Sequence, residues 1–129
     1  SKKNVLRGLH IQKKINQAKY VSVVKGKIFD VALDLRKKSK TFGKYYSIIL
    51  SDKNSKSIYI PKGFAHGFMG MGKENVVVYS NSNYRSKNNE IGIIWNDKNL
   101  KIKWPTKKPI VSKKDKSNLT FKEFCKIHL

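Results

Sequence analysis

Residues 27–35 (KIFDVALDL) set the tone of the chain, because Phe29, Val31, Leu33 and Leu35 alternate with Ile28, Asp30, Ala32 and Asp34. A period of two predicts a strand, and an apolar face opposite one bearing two acids predicts a half-buried sheet. Residues 18–24 (AKYVSVV) alternate in the same way, and Lys25-Gly26-Lys27 between the two runs is a hairpin signal. Further strands are expected at 44–50, at 57–60 where Pro61 stops the run, at 74–80, and more weakly through Ile91, Ile93, Ile94 and Trp95. The chain opens directly into the strand-like Val5-Leu6. Helical spacing occurs only in the tail, from Leu119 to about Ile127, with Phe121, Phe124 and Cys125 or Ile127 on one side. Many short strands and one terminal helix predict an all-β sandwich or barrel. With no repeat, linker or low-complexity stretch, residues 1–129 are expected to form one domain.

Composition narrows the setting. An apolar fraction of 39% containing Val and Ile runs favours a folded chain over a disordered one. The single cysteine, Cys125, excludes an internal disulfide and fits a reducing compartment. No apolar stretch reaches membrane-spanning length, so the expected address is soluble and cytoplasmic. The formal charge of +21 attracts phosphate in any form. Nucleic acid is nonetheless disfavoured as a partner. Arg7, Arg36 and Arg85 are the only arginines, and the lysines are spread along the chain in short doublets such as Lys37-Lys38. A solvated lysine surface accounts for that distribution.

Few residues carry obvious chemistry. His10 follows Arg7-Gly8-Leu9 in a strand-like context and reads either as a base or as a structural histidine bonded to a carbonyl. His66 lies in Pro61-Lys62-Gly63-Phe64-Ala65-His66-Gly67-Phe68, where glycine permits close backbone approach and phenylalanines can wall a pocket. Tyr79 ends an apolar strand, and alone it reads as core with a bonded hydroxyl. Asp115, in Ser112-Lys113-Lys114-Asp115, reads alone as a surface turn. A metal site is not expected: Gln12 stands where a His-x-His pair would need its second histidine, and His128 lies in the tail. Phosphate-loop and serine or cysteine nucleophile motifs are absent.

Taken together, the ordered blocks LRGLHIQ (6–12), Gln17-Ala18-Lys19, GKIFDVALDLRKKSKTFGKY (26–45), IPKGFAHGF (60–68), Glu90 before Gly92-Ile93-Ile94-Trp95-Asn96-Asp97, Trp104-Pro105 and Ser112-Lys113-Lys114-Asp115 resemble the dTDP-4-dehydrorhamnose 3,5-epimerase family. The resemblance runs nearly the whole length. It implies a cupin-type jelly-roll barrel with a short C-terminal helix, the family's N-terminal strands being missing from this chain. It also implies a cofactor-independent epimerase acting on a nucleotide-linked 4-keto-6-deoxy sugar, a homodimer, and a place in dTDP-rhamnose and surface-glycan synthesis. By position, His10 resembles the general base, Asp115 the carboxylate that orients it, Tyr79 the proton donor, and Lys19 the cation near the C4 carbonyl oxygen. Arg7, Gln12, His66, Glu90 and Lys114 match positions that hold the nucleotide sugar.

That assignment is chemically coherent. Hydrogens at C3 and C5 flank the C4 ketone, so loss of either gives an enolate, which needs a base and a donor or cation at the oxygen. Neither metal nor nicotinamide is required. The family's Tyr-Tyr-x-Pro string is replaced here by Tyr84-Arg85-Ser86-Lys87, and Ile94 and Lys98 replace the usual arginine and proline. Arg85 is therefore a candidate determinant of which base or sugar is accepted. Four readings compete with inversion at both carbons of a dTDP sugar: C3-only epimerisation, action on a GDP- or CDP-linked heptose, a sugar-nucleotide 3,4-ketoisomerase, and a non-catalytic basic nucleotide- or polyanion-binding module.

Overall fold

The computed structural model describes residues 1–13, 18–81 and 90–129. Its larger sheet holds β1 (Val5–Gln12), β3 (Lys27–Asp34), β4 (Tyr45–Ser51), β6 (Phe64–Gly70) and β8 (Glu90–Gly92), in the spatial order β4-β3-β6-β1-β8. A two-residue strand, β9 (Ile110–Val111), runs parallel beside the first half of β1. The smaller sheet contains β2 (Lys19–Lys25), β5 (Ser57–Ile60) and β7 (Val76–Asn81), with β2 in the middle. Helices α1 (Lys113–Lys116) and α2 (Phe121–His128) close the chain. The two sheets face each other without closing, as in a cupin-like jelly roll.

Between the sheets lies one core cluster, built from Val21 and Val23 on β2, Ile28 and Ala32 on β3, Leu50, Ile58, Ile60 and Phe68. A second cluster covers the opposite face of the larger sheet, where Leu9, Val31, Leu33 and Ala65 meet Ile93, Leu100 and Phe124. The larger sheet is therefore buried on both sides. This corrects the half-buried reading of residues 27–35: Asp30 and Asp34 are 0% and 1% exposed. The smaller sheet covers the face that carries the acids and the C-terminal segment covers the apolar one, and an alternation pattern does not encode that both covers exist.

Three further expectations are revised. Residues 64–70, read only as a pocket wall, form β6 at the centre of the larger sheet. Glycine at 67 and 70 and histidine at 66 hide that strand from any propensity scale, because its side chains are chosen for close approach. The terminal helix is not the sole helix, since α1 precedes it with Ser112 as N-cap. Asp115, read as a surface turn, is 4% exposed. In α2 it is Cys125 that packs beside Phe121 and Phe124, while Ile127 is exposed. Thr120 and Glu123 form a capping box that starts this helix.

Candidate active site

His10 and Arg7 are three positions apart, a spacing that puts two side chains on opposite faces of a regular strand. In β1 they reach the same face. Arg7 pairs with Phe68 and His10 with His66, so the register gains one residue between them, a β-bulge at Gly8-Leu9. Gly8 adopts φ +119°, and a Cβ there would fall 2.6 Å from Gly67 Cα and 2.7 Å from the His66 carbonyl oxygen. Glycine at 8 and glycine at 67 thus let two backbones touch, which turns Arg7, His10, His66 and Phe68 together toward the smaller sheet.

From that smaller sheet, β2 and β7 contribute Lys19, Tyr79 and Asn81, with Lys19 paired to Asn81 and Val21 to Tyr79. The space between is an open cavity of about 330 Å³. Arg7, His10, Lys19, His66, Tyr79, Glu90, Lys114 and Asp115 all line it. Gln12 stands at its edge, donating through Nε2 to Glu90 Oε2 at 3.3 Å. The cavity therefore collects all nine candidate residues, eight as lining and Gln12 through Glu90. Gln17 and the string Tyr84-Arg85-Ser86-Lys87 lie outside the described residues.

Asp115 reaches His10 from the far end of the chain. Pairing of β9 with the first half of β1 lays the following residues alongside that strand, and Ser112 caps α1 by accepting from the Asp115 N–H at 3.1 Å. Asp115 Oδ1 then meets His10 Nε2 at 2.6 Å. Its Oδ2 accepts from the Gly8 N–H at 3.2 Å, and Asn118 Nδ2 donates to Oδ1 at 3.2 Å. Burial pushes the Asp115 carboxyl up, but the His10 hydrogen bond and charge, with Gly8 and Asn118, outweigh it and hold the group below its ordinary range. An imidazole so held donates from Nε2 and leaves Nδ1 as its basic nitrogen. Glu90 Oε1 lies 3.8 Å from that Nδ1 and 3.8 Å from Lys114 Nζ.

His66 is built the same way from different elements. Its Nε2 meets Asp30 Oδ1 at 2.6 Å, a diagonal contact between β6 and β3. The ring stacks on Phe68 at 5.9 Å and stands edge-on to Tyr79 at 6.2 Å. Tyr79 is 43% exposed, so it is a wall of the cavity and not the core residue its isolated context suggests. Asp30, Gly8 and Asn118 were missed by the sequence reading. Period-two alternation put Asp30 opposite the apolar face, and that face turns out to be the interior. Among the described residues, no group of three or more histidine, cysteine or acidic side chains is placed to hold a metal ion.

Comparison with known proteins follows the same lines. The family model for dTDP-4-dehydrorhamnose 3,5-epimerase matches residues 1–123. The dTDP-4-dehydrorhamnose 3,5-epimerase of Shigella flexneri is 48% identical over 116 residues, covering 89% of this chain and 64% of that protein. The chain thus spans less than two thirds of the length of this relative. A Legionella pneumophila dTDP-6-deoxy-D-glucose-3,5-epimerase, solved in complex with dTDP-4-keto-L-rhamnose, superposes with a TM-score of 0.90 at 41% identity, over 93% of this chain and 64% of its own. A 3′-monoepimerase from Streptomyces bikiniensis, solved with dTDP-quinovose, superposes at 0.92 with 27% identity, over 98% and 65%.

Proposed function

Because this chain belongs to the dTDP-4-dehydrorhamnose 3,5-epimerase family, we propose that it inverts C3, C5 or both of a 4-keto-6-deoxy sugar carried on a nucleoside diphosphate, dTDP first among them. The observation that supports this reading best is one cavity walled on one side by His10, bonded to a buried carboxylate, and on the other by the Tyr79 phenol. In this reading His10 Nδ1 removes the proton beside the ketone, and Asp115 fixes the tautomer and offsets the imidazolium that forms. The C–H electron pair becomes the enolate, whose oxygen charge is met by Lys19. Tyr79 returns a proton from the opposite face, and that change of face is the inversion. Arg7 and Lys114 provide cations for the diphosphate, with Gln12, Glu90 and His66 shaping the sugar's position. The reaction needs no redox cofactor, and the enzyme would serve dTDP-rhamnose synthesis as a cytoplasmic homodimer.

Incubation with dTDP-4-keto-6-deoxyglucose in deuterated water tests the proposal. Deuterium is expected at C3 and C5, and His10→Ala should lower exchange by about 10²–10⁴-fold. Unchanged exchange in that variant removes His10 from the role of base. Label confined to C3 would group the chain with the 3′-monoepimerase, to which it is less similar in sequence. A 3-keto product makes it a ketoisomerase.

A further inference from the structure

Two histidine–aspartate pairs face this cavity with the same bond, Nε2 to Oδ1 at 2.6 Å, from residues that are direct partners across β1 and β6. Their carboxylates are surrounded differently. We infer that the pairs hold opposite protonation states: His10 presents a lone pair to the substrate, whereas His66, held by Asp30, presents an N–H. The inference rests on the epimerase reading and assigns His66 the task of donor to a substrate oxygen.

Asp115 accepts from neutral groups as well as from His10, namely the Gly8 N–H and the Asn118 amide. Those dipoles sustain the anion whether or not His10 is charged, so His10 is free to be neutral, with Nε2–H toward Asp115 and Nδ1 bare. Asp30 has no such support. It is 0% exposed, His66 is its one side-chain partner, and its Oδ2 is the only buried side-chain polar atom without a partner among the described residues. A carboxylate beside a neutral His66 would be a buried charge satisfied at one oxygen only, the costliest arrangement available to it. The pair therefore keeps one more proton than carboxylate plus neutral imidazole. Whether that proton sits on Oδ1 or on Nε2, the other ring proton is on Nδ1.

His66 Nδ1 makes no bond to a described residue and is not among the buried unpartnered atoms, while the residue lines the cavity; Nδ1 opens onto the substrate space. The charged and titratable groups facing it are Arg7 and His10 from β1, Lys19 from β2, Tyr79 from β7, Glu90 from β8, and Lys114 and Asp115 from α1. An N–H aimed there cannot accept a proton, so His66 is excluded as a second base. It suits the oxygen that gains charge on enolisation. Asp30 touches no substrate and acts through His66 as a positioning residue.

The test is two-bond ¹H–¹⁵N correlation on ¹⁵N-histidine-labelled protein, with signals assigned by single replacements. Over about pH 6 to 9, His66 Nδ1 is expected to keep the shift of a protonated nitrogen, while in the neutral His10 ring Nδ1 shows that of a bare nitrogen. A bare-nitrogen shift for His66 Nδ1 above pH ~7 overturns the inference, whether or not the protein epimerises anything. Asp30→Asn should release that proton and lower kcat about 10²-fold with KM held within about twofold. Retention of both the N–H signal and kcat in this variant also overturns it. If Asp30→Asn does not fold, the wild-type spectrum decides alone. Failure of the epimerase reading shows separately, as absence of deuterium from the sugar in the wild-type reaction.

Discussion

Gly8 carries more of this site than either histidine does. Its positive φ makes the bulge, the bulge brings Arg7 and His10 to one face, and its N–H supports Asp115. Gly8→Ala adds a Cβ against backbone atoms in a conformation that L-residues rarely adopt, and should destabilise the protein by ~2 kcal/mol or more in urea denaturation. Wild-type stability in that variant would show that the strand has another way to hold its register. Asp115→Asn keeps the shape of the contact but removes the charge that fixes and supports the His10 ring. We expect kcat to fall about 10²–10⁴-fold, while KM changes little, because the substrate does not bind through that carboxylate. The roles of His10 and Asp115 could be assigned by resemblance from local strings. The resemblance implied their contact, but no local string shows how residues 105 positions apart meet: the parallel pairing of β9 with β1 lays α1 beside His10.

At the scale of elements, the connection from β3 to β4 depends on one buried acid. Asp34 ends β3, accepts from Arg36 N, Nε and Nη2 and from Ser39 Oγ, and also bonds Thr41. Arg36 in turn lies over the Phe64 ring, 4.8 Å from its centroid, tying the turn to β6. Burial raises the Asp34 carboxyl, but the bonds from Arg36, Ser39 and Thr41 more than offset this and hold it well below the usual carboxylate range. A carboxyl lowered in the folded state stabilises the fold above its unfolded value of about 3.9, and that contribution disappears as pH falls through the folded value. Asp115, shifted the same way, adds to the effect. Asp34→Asn should therefore cost about 2–3 kcal/mol at neutral pH and flatten the acid limb of stability against pH, measured by urea midpoints. An unchanged acid limb would place the acid sensitivity elsewhere. The alternation of β3 was plain in the sequence, but the burial of both its faces was not, since the smaller sheet, paired elsewhere in the chain, covers the face that carries Asp30.

Across the whole molecule, charge sets how the proposed substrate would arrive. A net charge of +21 surrounds a cavity lined by Arg7, Lys19 and Lys114, so an anion such as a nucleoside diphosphate is drawn toward it. Raising ionic strength from about 0.05 to 0.5 M should increase KM several-fold and leave kcat nearly constant, because screening weakens the field and not the proton transfers. A kcat that falls in parallel would show that salt perturbs the site itself. No helix among the described residues is long and apolar enough to cross a membrane.

Period-two patterning, turn residues and helical spacing in the tail by themselves determined an all-β chain with a closing helix, because these signals act over a few residues and are written locally. The ordered motif blocks likewise determined the family. Tertiary structure alone decided that both faces of the larger sheet are buried, that residues 64–70 run through its centre, that a bulge aligns Arg7 with His10, and that Asp30 backs His66. Each of those depends on register and on pairings between distant segments, which hydrophobic periodicity does not specify.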